Sequence, residues 1–244
     1  MDSTQALFES YLPPLAERVR PKTIDEFCGQ GHLLDKGKIL HRLMDQAAPF
    51  SIIFWGPPGT GKTTLARIIA KSTDAKIKEL SAVSSGVKDL REVISLAENN
   101  REMGVKTILF IDEIHRFSKS QQDSLLRAVE DGTITLIGAT TENPSFEVIS
   151  PLLSRCRVLT LKPLETDHLM KILDSVFSQD VIMSKGSITI GESEKELLIQ
   201  SSGGDARKML NTLEIAHNLI GGKGHITKEI LDEAIQSKTM IYDK

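Results

Sequence analysis

The sequence has few cysteines and no long apolar run, and each shortage excludes a class of protein. Its two cysteines, Cys28 and Cys156, stand far apart and outside any metal-ligand spacing. This argues against a disulfide framework or a zinc site and favours a reducing compartment. No apolar run approaches the roughly 18 residues of a membrane-spanning helix, and no basic residue precedes Arg18, unlike in a secretory signal peptide. We therefore expect a cytoplasmic protein without a membrane partner.

The chain also lacks a strong charge of one sign. Its net charge of −3 is not the basic excess that a dedicated nucleic-acid-binding domain usually carries. The short basic cluster of Arg18, Arg20 and Lys22 is predicted to be solvated or to border a nucleotide, rather than to bind DNA. What remains is a globular composition over 244 residues, enough for one well-buried domain and a smaller second one.

Hydrophobic periodicity predicts strands that alternate with helices in the first part of the chain. The predicted strands are 51–55, 77–80, 107–111, 133–139 and 157–161. The predicted helices are 36–47, 61–71, 87–102, 118–130 and 148–153. Such alternation is typical of a parallel sheet covered by helices on both faces.

Strand signals fade after Pro163, and the rest of the chain is predicted to be helical. Helices are expected at 167–177, 194–201, 206–219 and 228–237, and the loop between 178 and 193 is expected to contain a short hairpin around Gly186. We therefore predict an α/β domain over residues 1–163 and a small helical domain over residues 164–244.

The clearest chemical motif is a glycine-rich loop between the first predicted strand and its helix. Glycines let backbone N–H groups converge on phosphates, and the helix N-terminus adds its own donors. Lys62 is suited to reach the β- and γ-phosphates, and the Thr63 hydroxyl to ligate Mg²⁺. The alternative is a glycine-rich turn that merely packs. The residues that fit the pattern G-x-x-x-x-G-K-[ST] are Gly56, Pro57, Pro58, Gly59, Thr60, Gly61, Lys62 and Thr63.

The third predicted strand ends in two acidic residues, Asp112 and Glu113. Ligands of open parallel sheets bind at the carboxyl ends of the strands, which is where these carboxylates lie. Asp112 is suited to hold Mg²⁺ through water, and Glu113 to polarise the attacking water. A strand end that exposes acids is common, but one βα unit after a phosphate loop it favours a functional role.

Three further residues are candidates for the same site, each with a structural alternative. Thr141 follows a predicted core strand and is suited to lie beside the γ-phosphate, or to belong to an ordinary turn. Arg155 is suited to enter a neighbouring subunit's site, or to form a surface salt bridge. Arg207 opens a helix of the second domain and is suited to contact the γ-phosphate, or to be solvated beside an N-capping Asp205.

In this order the motifs resemble those of AAA+ ATPases of the clamp-loader clade. Within that clade they resemble the replication-associated recombination protein A family, to which the Werner-helicase-interacting protein is related. The strings that carry the resemblance are 15–27 (LAERVRPKTIDEF), 29–30 (GQ), 54–64 (FWGPPGTGKTT), 112–117 (DEIHRF), 121–123 (QQD) and 137–146 (IGATTENPSF).

The resemblance implies a five-stranded parallel sheet in the order 5-1-4-3-2, with helices on both faces and a helical lid after it. It implies that Thr141 is the sensor-1 residue, Arg155 an arginine finger acting in trans, and Arg207 the sensor-2 arginine. Segment 19–29 is implied to line the adenine. The further nucleotide contacts taken from the resemblance are Val19, Arg20, Pro21 and Thr64.

The implied function is hydrolysis of ATP with Mg²⁺, stimulated by DNA, at stalled or gapped replication forks. The implied partners are forked, gapped or single-stranded DNA junctions, single-strand-binding protein, the replisome and further copies of the chain. A sliding-clamp loader subunit is one alternative. A nucleotide-dependent recruitment scaffold with little turnover is the other.

The chain departs from the family pattern in two places. Leu125-Leu126 is followed by Arg127, where the family usually has proline, on a surface outside the ATP chemistry. Family members also continue beyond a Tyr-Asp-Lys like that at 242–244, with a helical domain associated with tetramer formation and DNA binding. These two properties are therefore expected of the longer members and stay open for these 244 residues.

Overall fold

The computed structural model describes residues 12–45, 50–185 and 188–242, which fall into two compact units. The α/β unit is Lys22–Lys162, and the helical unit joins the described residues before Lys22 to those from Pro163 onward. The chain therefore passes between the units twice, after Pro21 and after Lys162. The sequence analysis instead divides the chain once, at 163, and that division stays a prediction.

The α/β unit is built on a five-stranded parallel sheet in the order β2-β3-β4-β1-β5. This is the predicted order read from the other edge of the sheet, so the prediction is confirmed. The strands are β1 (Ile52–Trp55), β2 (Lys76–Ser81), β3 (Thr107–Asp112), β4 (Thr135–Thr140) and β5 (Arg157–Thr160).

Helices are numbered along the whole chain, and α1 (Leu15–Arg18) belongs to the helical unit. A short 3-10 turn, Ile114–Arg116, follows β3 in the α/β unit. The helices of the α/β unit are α2 (Gly31–Leu34), α3 (Ile39–Asp45), α4 (Lys62–Ser72), α5 (Val87–Glu102), α6 (Lys119–Glu130), α7 (Pro144–Glu147) and α8 (Ser150–Leu153).

The central strands are buried on both faces of the sheet. Because successive side chains of a strand point to opposite faces, Ile52 and Phe54 pack in one hydrophobic cluster with Phe110. Ile53 lies in a second cluster, on the other face, with Leu109. This double coverage explains why the strands are nearly continuous apolar runs, and it fixes the register in which their carboxyl ends meet.

Two elements, β4 and α8, begin two residues later than predicted, each for a local reason. β4 begins at Thr135, because the N–H and hydroxyl of Thr133 both bond to the Asp131 carboxylate, at 3.0 and 2.7 Å, in the preceding turn. The helix predicted from residue 148 begins at Ser150, because the two residues before it are extended.

The helical unit is helical as predicted, with one addition. Two three-residue strands, β6 (Ile188–Ile190) and β7 (Gly224–Ile226), form a parallel pair. The predicted hairpin around Gly186 is wrong for the described residues, because β6 pairs with the distant β7, and residues 186–187 lie outside the described part. No helix in that part is long and apolar enough to cross a bilayer. The remaining elements are α9 (Thr166–Gln179), a 3-10 turn at Met183–Lys185, α10 (Glu192–Ser202), α11 (Ala206–Leu219) and α12 (Lys228–Tyr242).

A buried ion-pair cluster fixes α1 to the rest of the helical unit. Arg18 Nε and Nη2 donate to the two oxygens of Asp180 at 2.8 and 3.2 Å, and Nη1 donates to Glu214 Oε1 at 3.1 Å. Asp180 Oδ1 also accepts the backbone N–H groups of Ile182 and Met183. The side chains of Arg18 and Asp180 are only 9% and 1% exposed. Of the cluster Arg18, Arg20 and Lys22, predicted to be solvated or to border a nucleotide, Arg18 is therefore not solvated, because its charge is paired with residues distant in sequence.

Removal of the Asp180 carboxylate is expected to destabilise the helical unit in a pH-dependent way. Burial raises the pKa of Asp180, but hydrogen bonds from Arg18, Met183 and Ile182 outweigh it and hold the pKa below the ordinary value. Because the folded-state pKa is the lower one, this stabilisation is complete above about pH 4 and is lost as the pH falls further. Asp180→Asn should lower the free energy of unfolding by about 3 kcal/mol at pH 7 and by less in acid.

Urea unfolding at pH 7 and at pH 3, followed by circular dichroism, measures both effects. Asp174→Asn is the matched control, because the Asp174 side chain is 62% exposed in the same unit and lies 3.5 Å from Lys195. Equal unfolding free energies for the two variants at pH 7 would contradict the role given to Asp180.

Candidate functional site

The glycine-rich loop lies between β1 and α4, at the end of the sheet where the carboxyl ends of the strands meet. Gly61 is the N-cap of α4 with a left-handed backbone, and no side chain of the described residues caps this helix. A Cβ on Gly61 would lie 2.5 Å from the ring of Phe27, and one on Gly56 would overlap the carbonyl oxygen of Leu161. Close packing therefore requires glycine at both positions, and an uncapped helix N-terminus of this kind is suited to bind phosphate.

Lys62 is folded back over this loop. Its Nζ donates to the carbonyl oxygens of Gly56 and Pro57, at 2.7 and 2.8 Å, and the residue is only 8% exposed. The Thr60 hydroxyl donates to the same Pro57 carbonyl at 2.9 Å. The ammonium group is thus held against the loop by neutral carbonyls, and charged phosphate oxygens are stronger hydrogen-bond acceptors than these.

The segment that precedes α2 is fixed beside the phosphate loop and the end of β5. Gln30 pairs with the backbone of Lys162 in both directions: Nε2 donates to its carbonyl at 2.7 Å, and Oε1 accepts its N–H at 2.9 Å. In the sequence, Gly29-Gln30 is recognisable only as a family string; in the structure, Gln30 contributes this reciprocal pairing. Residues 19–21, predicted to contact the nucleotide, precede this segment and belong to the helical unit.

The two acidic residues stand two strands away from the phosphate loop. Asp112 is the last residue of β3, Glu113 follows it, and β4 lies between β3 and β1. Trp55 at the end of β1 pairs with Thr140 at the end of β4, so the carboxyl ends are level. With about 4.8 Å between neighbouring strands, the ends of β1 and β3 are about 10 Å apart. Phosphate groups, a metal ion and a water molecule fit a span of this size.

Glu113 has a left-handed backbone, with φ of 53° and ψ of 47°. Such a conformation costs a non-glycine residue on the order of 1–3 kcal/mol and clusters at functional sites. Its Oε2 lies 3.4 Å from Thr141 Oγ1 and 3.1 Å from His115 Nδ1. The structure thus brings together two residues predicted from the sequence. It adds His115, which the sequence analysis noted only as a letter in a family string.

Thr63 and Asp112 are the residues predicted to hold a metal ion. Thr63 lies in the first turn of α4, and Asp112 ends β3; both are partly exposed. Proteins usually hold Mg²⁺ through one or two side chains together with substrate phosphates and water, so a hydroxyl and a carboxylate fit this ion. The described part of the chain contains no group of three or more His, Cys, Asp or Glu residues that would by itself hold a metal.

Arg155 lies beside the amino-terminal ends of the strands, whereas its own phosphate loop lies at their carboxyl ends. It stands just before β5, whose first residue, Arg157, pairs with Ile52 at the start of β1. Arg155 forms an ion pair with Glu130, and its Nη1 donates to the carbonyl of Pro151 at 2.6 Å. The salt bridge that the sequence analysis offered as the structural alternative is therefore present. The position also separates Arg155 from its own phosphate loop by the length of β1, about 13 Å for a strand of four residues.

Arg207 lies in the first turn of α11 and is exposed. The helix is capped by Asp205, whose Oδ1 accepts the backbone N–H of Lys208 at 2.9 Å, so the cap named in the structural alternative for Arg207 is present. Arg207 is therefore placed on a stable helix end within the helical unit.

Comparison with protein families identifies both parts of the chain. The family described as ATPase family associated with various cellular activities (AAA) matches residues 52–164. The family described as AAA C-terminal domain matches residues 184–244.

Two curated proteins are similar over nearly the whole chain. Replication-associated recombination protein A of Escherichia coli (strain K12) is 46% identical over 235 residues, which are 94% of this chain and 53% of that protein. ATPase WRNIP1 of Dictyostelium discoideum is 41% identical over 250 residues, which cover 95% of this chain and 28% of that protein. The chain thus spans about half the length, or less, of these relatives.

A solved structure with the same fold is the RuvB Holliday junction branch migration motor of Thermotoga maritima. It superposes with a TM-score of 0.70 at 27% sequence identity, and the match covers 90% of this chain and 73% of RuvB. The sheet and the helical region described above are therefore those of a known ATPase fold.

Gly61→Ala is expected to weaken nucleotide binding by distorting the phosphate loop. The added methyl group would meet the Phe27 ring at 2.5 Å, at a residue whose φ of +96° already disfavours an L side chain. The Kd for a fluorescent ATP analogue should rise about tenfold or more, which corresponds to about 1.4 kcal/mol.

Gly104→Ala is the matched control for this measurement. Its φ of +73° is also left-handed, but nothing lies within 4 Å of an added Cβ. It follows α5, outside the phosphate loop, and should therefore show what a strained alanine does to the Kd through stability alone. If the two variants bind the analogue with the same Kd, close packing at Gly61 does not shape the site.

Proposed function

Because the chain belongs to the AAA ATPases and, within them, to the replication-associated recombination protein A family, we propose that it hydrolyses Mg²⁺-ATP to act on DNA at stalled or gapped replication forks. The observation that carries this proposal is the Glu113 carboxylate, held by Thr141 at the same sheet edge as the phosphate loop.

The proposed chemistry assigns each residue at this edge one task. The phosphate loop and Lys62 bind the β- and γ-phosphates. Thr63 and Asp112 hold Mg²⁺, which when bound neutralises charge on the phosphates. Glu113 orients the attacking water and accepts its proton, and Thr141 orients the water or the carboxylate. The outer residues of the loop, from Gly56 to Thr64, contribute backbone and hydroxyl contacts.

The helical unit is proposed to sense the bound nucleotide. Val19, Arg20 and Pro21 are proposed to contact the base, and Arg207 to contact the γ-phosphate. Asp205, and not Arg207, caps this helix, and the Arg207 side chain is exposed, which supports the assignment. In this proposal, hydrolysis is coupled to the helical unit as a lid.

Arg155 is proposed to act on the ATP of a neighbouring copy. Its place at the sheet edge opposite to its own phosphate loop supports a role in trans rather than in cis. An arginine supplied in this way stabilises negative charge that develops during phosphoryl transfer. Self-association is therefore part of the proposed mechanism.

The proposed partners follow from the names of the relatives. One relative is named for replication-associated recombination, and the structural neighbour is named as a Holliday junction motor. We propose that DNA forks, gaps and single-stranded junctions are the substrates, in the cytoplasm, with single-strand-binding protein and the replisome as protein partners. A net charge of −3 gives no general support for DNA binding, so we propose that DNA is contacted by a local surface.

Hydrolysis is expected to rise severalfold when gapped or forked DNA is added, and to fall to a small residual rate in Glu113→Gln. The rate of phosphate release is measured with and without DNA, with the similar protein from Escherichia coli as a reference. If DNA changes the rate of neither protein, the DNA-linked function is wrong. Stoichiometric assembly with a sliding clamp would favour a loader subunit. Full complementation of a knockout by Glu113→Gln would favour a recruitment scaffold.

The rate per subunit is expected to rise with protein concentration, because a monomer has no neighbour to supply Arg155. Where the chains associate, Arg155→Ala should lower turnover by about 10³-fold and leave the Kd for ATP nearly unchanged. Steady-state rates over a range of protein concentrations test both statements.

Arg101→Ala is the control for the loss of a surface arginine. Arg101 lies in the same unit and forms a comparable exposed pair with Asp131, at 3.7 Å. It should turn over ATP at the wild-type rate. A rate that does not depend on concentration, together with equal rates for the two variants, would exclude the role in trans.

A further inference from the structure

His115 contacts the same carboxylate oxygen of Glu113 that Thr141 contacts. His115 lies in the 3-10 turn after β3, and its side chain is only 8% exposed. Its Nδ1 is 3.1 Å from Glu113 Oε2 and 2.9 Å from Thr140 Oγ1. The ring is therefore enclosed between the end of β4 and the residue proposed to activate water.

The contacts around Thr140 decide whether Nδ1 of His115 carries a hydrogen atom. Thr140 Oγ1 accepts the backbone N–H of Glu142 at 3.0 Å and is 3.2 Å from the Glu142 carbonyl, to which it donates its own hydrogen. If Nδ1 of His115 had no hydrogen, its lone pair would face the Glu113 carboxylate at 3.1 Å with nothing between two acceptors. Nδ1 therefore carries hydrogen, in a neutral or a charged ring; it donates to Thr140 Oγ1 and turns a positive edge toward Glu113 Oε2, 3.1 Å away.

Both side chains contact the same carboxylate oxygen. Thr141 Oγ1 donates to Glu113 Oε2 at 3.4 Å, and His115 Nδ1 contacts that same oxygen at 3.1 Å. No residue in the described ranges donates to Oε1. Together with the left-handed backbone of Glu113, these contacts fix the rotation of the carboxylate and direct Oε1 away from its two holders.

We propose that His115 is a positioning residue for ATP hydrolysis, which holds Glu113 so that Oε1 accepts the proton of the attacking water. The inference rests on the proposed function of Glu113 and deepens it. His115 acts through Glu113, so its loss should affect the chemical step and not the affinity for ATP. A histidine that merely packs would affect stability, and its effect would not depend on whether its replacement carries a donor.

Asn and Leu at this position make a matched pair. The two side chains have the same branching and similar volume, but only Asn places an N–H donor close to the position of Nδ1. His115→Leu should lower kcat about ten- to hundredfold and leave KM for ATP within about twofold. His115→Asn should retain kcat within about threefold. The rates are measured at one protein concentration, with the Kd for an ATP analogue and the thermal unfolding midpoint of each variant.

Glu113→Gln and the double variant Glu113→Gln/His115→Leu complete the test. Because His115 acts through Glu113, the double variant should turn over no more slowly than Glu113→Gln alone. If Glu113→Gln keeps the wild-type rate, the proposed function itself fails. If Glu113→Gln stops turnover while His115→Leu keeps its kcat, or while Asn and Leu lower kcat equally, only the positioning role of His115 is wrong.

A third replacement keeps the test decisive if His115→Leu does not fold. His115→Gln is polar and has a longer side chain, so its amide donor lies one bond farther out than that of Asn. It should show the low kcat expected of Leu. A kcat equal to that of His115→Asn would overturn the proposal, because the donor would then not need to be at the position of Nδ1.

Discussion

The parallel register of β1, β4 and β3 is the constraint on which the site depends. Because these strands run in the same direction and are level at their ends, the phosphate loop, Thr141 and the two acids emerge at one edge. Residues on both faces of the sheet are buried, so a slip of one residue would move each strand side chain into the opposite hydrophobic cluster, where it would not match the packing. The stability of the sheet therefore also fixes the distance of about 10 Å across the site.

The rigidity of this sheet maintains two local arrangements that are unfavourable by themselves. Glu113 adopts a backbone conformation that non-glycine residues avoid, and the charged ammonium group of Lys62 is nearly buried, where it donates to the carbonyls of Gly56 and Pro57. Both groups stand at the ends of strands whose hydrogen bonds and packing are complete. The packing of the strands thus offsets the free-energy cost of the Glu113 conformation and of burying Lys62.

The sequence predicted the features that depend on neighbours along the chain. Alternating strands and helices, the glycine-rich loop and the acidic strand end are local patterns, and the sheet order came with the family resemblance. Contacts between distant residues escaped it: Arg18 with Asp180 is one, and Gln30 with Lys162 is another. His115 escaped for a different reason, since a single histidine has no periodicity or spacing to mark it. β6 and β7, with three residues each, are too short to produce an alternating pattern.

The two contacts to Glu113 Oε2 remove the symmetry of its carboxylate. A free carboxylate can rotate by half a turn and present an identical group, so its two oxygens are interchangeable. Here one oxygen accepts hydrogen from Thr141 and lies 3.1 Å from His115 Nδ1, and the other accepts none from the described residues. Rotation would break both contacts, so the two oxygens are chemically distinct: one is held in place, and in the proposed mechanism the other is the base. The most basic lone pairs then lie on the oxygen that remains available to water.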